Sequence, residues 1–207
     1  SDAVYLDGEF VGVGGNGMRM RTADLGATWE DDSGFLMGHF RGVATNGSVV
    51  LAVGHSYGGE GWSSTSVDGV TWTDIVAGGT SFADIIWAAD TFVAVGNAGR
   101  IARSTNGLSW DDETVTAGDF RTIAFVEDTF YVSDGTTYFS SPDGDTWTEM
   151  SSDFARPIVA GWNGTFFTVG GNASVARSTD LSAEWETVFM MTGGRFVSMA
   201  VGAIPVE

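Results

Sequence analysis

Ser66-Val-Asp68-Gly69-Val-Thr71-Trp72 decides the fold, because the chain writes it again. Ser104-Thr-Asn106-Gly107-Leu-Ser109-Trp110 and Ser141-Pro-Asp143-Gly144-Asp-Thr146-Trp147 keep its length and its order of hydroxyl, Asx, glycine, hydroxyl and tryptophan. Thr22-Ala-Asp24-Leu-Gly26-Ala-Thr28-Trp29 is one residue longer. Ser178-Thr-Asp180-Leu-Ser182-Ala-Glu184-Trp185 is degenerate, with Ser182 in place of glycine and Glu184 in place of threonine. The five tryptophans stand 43, 38, 37 and 38 residues apart. A fixed period near 40 residues marks a repeat architecture, whose units bury their apolar faces only against one another.

Two more phrases recur upstream of each tryptophan. Glu9-Phe-Val-Gly-Val-Gly14, Val49-Val-Leu-Ala-Val-Gly54, Thr91-Phe-Val-Ala-Val-Gly96, Thr129-Phe-Tyr-Val-Ser-Asp134 and Thr165-Phe-Phe-Thr-Val-Gly170 form one set. Val43-Ala44, Ile85-Ile86-Trp87, Ile123-Ala124-Phe125 and Ile158-Val159-Ala160 form the other, with Ala3-Val4-Tyr5-Leu6 aligned to it. Short apolar runs separated by Gly, Asn and Asp read as strands and turns. No window carries a 3.6-residue apolar period, so no long helix is expected. Phe92, Val93 and Val95 leave neither face of their strand polar. A sheet apolar on both faces must be sandwiched between others, and radial stacking does this. The sequence predicts an all-β chain: a five-bladed β-propeller of four-stranded antiparallel blades in one domain over 1–207. The repeats fall at roughly 1–35, 36–77, 78–115, 116–152 and 153–190. Phe196-Val-Ser-Met-Ala-Val201 reads as a closing strand within 195–204, docking beside the N-terminal strand to seal the ring. A closed ring predicts a monomer; an open one, cut from a longer parent, predicts a dimer.

The tryptophan phrase has its own structural logic. An Asp side chain accepts N–H groups of its own turn, and glycine supplies a positive φ. The hydroxyl cross-links the turn, and tryptophan fills the space between sheets with its N–H within reach of an acceptor. Asp24, Trp29, Asp68, Trp72, Asn106, Trp110, Asp143, Trp147, Asp180 and Trp185 are therefore expected to be structural. The phrase resembles the Asp-box, or BNR repeat, of sialidases, related glycosidases, photosystem II assembly-factor-like propellers and many exported bacterial proteins. The resemblance implies a sialidase-like propeller, secreted or at the cell surface. It also implies that these hairpins sit on one rim while ligands meet the opposite face.

Composition narrows the partners. Among 207 residues there are 18 Asp, nine Glu, nine Arg and no Lys, for a net charge of −18. Sequence-independent nucleic-acid binding needs clustered cations, so nucleic acid is not an expected partner. There is no Cys, hence no disulfide frame and no thiolate metal site. No apolar run reaches the ~18 residues of a membrane-spanning helix. The start, Ser1-Asp2-Ala3, lacks an initiator Met and reads as a processed or excised end. Asp111-Asp112-Glu113 and Glu30-Asp31-Asp32 lack the alternation of a Ca²⁺ loop, so no metal and no cofactor is expected.

Two features break the repeat. The second repeat carries extra residues, His55-Ser-Tyr57-Gly-Gly-Glu60-Gly-Trp62, read as an enlarged loop on the ligand face. His55, Tyr57, Glu60 and Trp62 are its ligand candidates, and loss of Trp62 is expected to cost binding without lowering stability. Arginine marks the start of several inner strands: Phe40-Arg41, Phe120-Arg121, Arg156-Pro157-Ile158 and Arg195-Phe196. Arg41, Arg121 and Arg156 could grip a carboxylate; pairing with neighbours such as Asp84 and Asp119 is the plainer account. Arg21, Arg103 and Arg177 precede the boxes and read as structural. The expected function is non-enzymatic recognition or scaffolding, with carbohydrate or a protein surface as partner. A sialidase-like hydrolase acting on an anionic sugar through the three arginines is the alternative. A purely structural propeller without a ligand is the third reading.

Overall fold

A computed structural model describes residues 2–34, 38–115, 118–150, 158–162, 164–170, 174–179 and 185–190. The strands among them form five antiparallel sheets of four, each a meander in chain order. The first holds β1 (Asp2–Leu6), β2 (Glu9–Val13), β3 (Arg19–Thr22) and β4 (Glu30–Asp31). The second holds β5 (Gly38–Thr45), β6 (Val50–Ser56), β7 (Glu60–Ser66) and β8 (Thr73–Thr80). The third holds β9 (Phe82–Ala88), β10 (Thr91–Gly96), β11 (Arg100–Ser104) and β12 (Asp111–Thr114). The fourth and fifth are β13 (Thr122–Val126), β14 (Thr129–Ser133), β15 (Tyr138–Ser141), β16 (Thr148–Met150), then β17 (Ile158–Trp162), β18 (Thr165–Gly170), β19 (Ser174–Ser178) and β20 (Glu186–Met190). The chain divides into two compact units, Ser1–Arg121 and Thr122–Glu207. The expected closing strand over 195–204, Arg195, and the fifth box from Asp180 to Glu184 lie outside the described residues.

In the first unit, burial on both faces of a sheet is visible residue by residue. Val50 and Ala52 of β6 join Leu6, Val11 and Val13 of the first sheet in one apolar cluster. Leu51 and Val53, pointing the other way, join Phe82, Ile85, Phe92 and Ala94 of the third. The side-chain period of two thus sends alternate residues of one strand into two different cores. Each fully buried Val, Leu or Phe stabilises by about 1.5–3 kcal/mol. In the second unit, Ala124, Val126, Tyr138 and Phe166 form a core with Trp185 packed against it.

The glycine ending the Val-x-Val-Gly phrase answers a steric demand. The β9–β10 register shifts between Val95 and Gly96, and the bulge brings the Ser81 carbonyl oxygen onto Gly96. A Cβ there would overlap that oxygen, and one at Gly54 would overlap the His39 carbonyl oxygen in the same way. The φ of Gly96 is −166°, extended backbone open to any residue, so space alone forbids a side chain. Gly96→Ala is expected to lower unfolding stability by about 1–3 kcal/mol through overpacking, measured by urea denaturation.

The box turns are closed by their acidic side chains. Asp68 Oδ1 accepts the backbone N–H groups of Val70 (2.9 Å) and Thr71 (2.7 Å), and the Ser66 hydroxyl donates to it. Asp143 accepts from Asp145 and Thr146, and Asn106 from Leu108 and Ser109, through the same geometry. In the first box the Thr28 hydroxyl and backbone N–H both donate to Asp24. These donors favour the charged form. The Thr28 hydroxyl above all holds Asp24 at about 2, and the Thr71 N–H above all holds Asp68 at about 2. A carboxyl depressed on folding contributes stability above its unfolded pKa and loses it as pH falls through the folded value. The turns at Asp24 and Asp68 are therefore expected to loosen between about pH 4 and pH 2. The Asn106 turn, which has no proton to gain, should keep its amide protection over that range. Hydrogen exchange of the three turns checks this.

The box tryptophans divide by neighbour. Trp72 donates its N–H to the Gly69 carbonyl (3.0 Å) and packs into the core between the first and second sheets. Trp110 packs into the core between the second and third, and its N–H reaches the Ser63 hydroxyl on the second sheet (3.2 Å). Trp147 donates to the Gly144 carbonyl. Trp29 departs from the expectation of burial: it is 47% exposed, on a face of the first sheet where Ala3, Gly12, Met18 and Met20 line an apolar hollow.

Candidate functional site

The site is built by three equivalent phenylalanines. Phe40, Phe82 and Phe120 stand just ahead of or inside the first strands of successive sheets, and each is essentially fully buried. The Phe40 N–H donates to the Gly14 carbonyl (3.1 Å) and the Phe120 N–H to the Gly96 carbonyl (3.0 Å), so each is pinned to the sheet before it. In extended backbone a buried residue turns its successor outward. The successors are Arg41, Ala83 and Arg121, and all three line one cavity of about 490 Å³. His55, Gly59, Ser81, Phe82 and Asn97 complete its wall. Alanine at the middle position leaves open the space that the two arginines border.

The charge here runs against the rest of the protein. Arg21 is committed to Glu9, Glu30 and Asp32, Arg100 to Asp112, and Arg177 to Glu186. Arg41 has no ion pair among the described residues; its Nη2 lies 3.3 Å from His55 Nε2. Arg121 is 70% exposed and meets Asp119 at 3.5 Å, a contact of the plainer kind that contributes little at a surface. In a chain of net charge −18, the described wall of this cavity carries two guanidiniums and no carboxylate.

The other sequence candidates separate. Tyr57 is 59% exposed; its ring meets His39 edge-on at 5.5 Å and its hydroxyl donates to Asn16 Oδ1. Glu60 is exposed at the start of β7 and does not line the cavity. The expected enlarged loop at 55–62 is instead a hairpin: β6 and β7 run on past Gly54, and the turn itself is Tyr57-Gly58-Gly59. Trp62 is corrected outright. It pairs with Gly54 inside the sheet, has no exposed surface and stacks on Phe40 at 4.2 Å. The side-chain alternation that brings Gly61 to one face turns Trp62 into the core. Arg156 lies outside the described residues.

The sequence reading also passed over two arginines. Arg19 is 2% exposed, donates to Ser64 and Asp74 of the second sheet, and lies 5.1–5.9 Å from the rings of Phe40, Trp62 and Trp72. Burial pushes its guanidinium below the ordinary value, and Asp74 opposes the shift. Arg100 is 4% exposed, clamps Asp112 and donates to the Gly78 and Thr80 carbonyls of the preceding sheet, over the ring of Phe82 at 3.9 Å. Each opens the third strand of its sheet, β3 or β11, and that shared position was the signal available for both.

No family model matches the chain, and no curated protein matches it. Solved structures do. A YCF48 structure described as bound to D1 peptide superposes with a TM-score of 0.69 at 19% identity, over 90% of this chain and 67% of that one. YCF48 from Cyanidioschyzon merolae gives 0.64 at 16% identity, covering 90% and 70%. The Niastella koreensis GH74 enzyme gives 0.63 at 20% identity over 90% of this chain but 30% of that one. The WD40 β-propeller domain of Doa1 gives 0.64 at 12% identity, covering 87% and 66%. The fold of this chain is that of a β-propeller.

Proposed function

We propose that this chain is a non-enzymatic recognition module that holds a peptide or protein segment at the face opened by Arg41, His55 and Arg121. The observation that carries the reading is the cavity, where two of the few cations converge without strong acidic partners. Its volume of about 490 Å³ suits a side chain or a chain end. A solved neighbour of the same fold is described with a bound peptide. Carbohydrate is less well served, because Trp62, the ring suited to stacking on a sugar, belongs to the core. Hydrolysis is not favoured either: a glycosidase needs two opposed carboxyl groups, and the described lining residues include no Asp or Glu. The capped turns support membership of the Asp-box propellers. An exported or cell-surface setting goes with that resemblance.

The test is selection of a displayed random-peptide library on the immobilised chain, with an Arg41→Ser/Arg121→Ser variant of unchanged melting temperature as counter-target. Peptides retained by the native chain and lost on the variant support the reading. No enrichment, or equal retention on both, overturns it.

A further inference from the structure

We infer that the cavity is a proton-gated carboxylate clamp, taking an acidic peptide group more tightly when His55 is protonated; this rests on the peptide-binding reading of the same face. His55 Nδ1 lies 3.1 Å from the Ser56 carbonyl oxygen, which can only accept. Nδ1 therefore carries the hydrogen, and Nε2 is a bare acceptor for the Arg41 guanidinium at 3.3 Å. The neutral imidazole thus occupies one of the donors that Arg41 could offer a ligand. A second proton on the ring sets N–H against N–H. The hydrogen bond is lost, Arg41 is released toward the cavity, and a third cation joins Arg41 and Arg121 on its wall. In the free protein this arrangement is opposed by repulsion among like charges; a bound carboxylate relieves it. By linkage, the ligand then favours the protonated ring, and the protonated ring favours the ligand.

The groups facing His55 bear this out. From β5 come Arg41 and His39, whose ring lies 5.2 Å away. His39 Nδ1 accepts the Asn16 backbone N–H, and its ring packs against Tyr57. Arg121, with Asp119 beside it, lines the same cavity. Among the described residues no carboxylate is ion-paired to His55. Imidazole is the side chain suited to changing charge between about pH 5 and 8, while a peptide carboxylate with a pKa near 4 stays ionised there.

The experiment is calorimetric titration of the whole chain at low salt with acetyl-Ala-Ala-Glu and with neutral acetyl-Ala-Ala-Gln-amide, at pH 5.5 and 7.5. The acidic peptide is expected to bind roughly fivefold to tenfold tighter at the lower pH, and the neutral one to show no such gain. His55→Gln should abolish the pH dependence, so that the acidic peptide binds equally at both values; Arg121→Gln should weaken binding at both values. In the native chain, the His55 ring protons followed by NMR should titrate at higher pH once the acidic peptide is present. An unmoved His55 titration, a pH response that survives His55→Gln, or equal binding of the neutral peptide overturns the clamp. If neither peptide binds while library selection succeeds, the clamp falls and the peptide-binding reading stands; if selection fails too, both fall. Glucuronate binding where the peptide does not would overturn the peptide assignment in favour of a sugar carboxylate.

Discussion

Trp62→Ala is expected to lower the unfolding free energy by about 3–5 kcal/mol, the range for removing a buried aromatic side chain. The indole has no exposed surface, stacks on Phe40 at 4.2 Å and belongs to the cluster joining the first two sheets. Its removal leaves a cavity between sheets whose other members cannot close in, because they are fixed to strands on both sides. Trp62→Phe separates packing from polarity. The indole N–H has no hydrogen-bond partner among the described residues, so phenylalanine keeps much of the apolar surface and drops an unsatisfied donor. The phenylalanine variant should therefore retain most of the stability that alanine loses. Urea melts of both variants decide it: equal, small losses would mean that Trp62 is not part of the core.

Arg19→Ala should cost a similar ~3–5 kcal/mol, for a different reason. Arg19 bridges two sheets. It donates to Ser64 and Asp74 on the second while its guanidinium faces Phe40, Trp62 and Trp72. Removing it empties a buried volume and leaves Asp74 without its cation. A double-mutant cycle with Asp74→Asn apportions the loss: the coupling between the two positions should be well above that of an exposed pair, which is at most about 1 kcal/mol. A coupling near zero would show that Arg19 acts by packing alone. The same logic predicts that high salt barely changes the pair, since screening acts weakly on buried charges.

Much of the site was within reach of the sequence, and the misses share a cause. Arg41 and Arg121 were singled out because each follows a phenylalanine at the mouth of an inner strand, and the structure places both on one cavity. Ala83 follows an equivalent phenylalanine and was passed over, because alanine carries no chemistry of its own. Its contribution is the space it does not fill. Trp62 was placed on the ligand face because an inserted segment was read as a loop. Whether extra residues lengthen a loop or lengthen two strands depends on hydrogen-bond partners across the sheet, and on those the one-dimensional pattern is silent. Arg19 and Arg100 look like ordinary strand residues until Asp74 and Asp112 are brought opposite them.

The sequence by itself determined the repeat, the strands and the turns, because these are local. A period near 40 residues, alternating apolar runs and an Asx side chain two to four residues before its N–H donors are all read along a short stretch of chain. The tertiary structure alone decided which side of each strand meets which sheet. That choice turned Trp62 inward, buried Arg19 and Arg100 between sheets, and gathered Arg41, Ala83, His55 and Arg121 around one opening in a protein of net charge −18. Burial and the gathering of charged side chains depend on neighbours distant in the chain, so they exist only once the sheets are stacked.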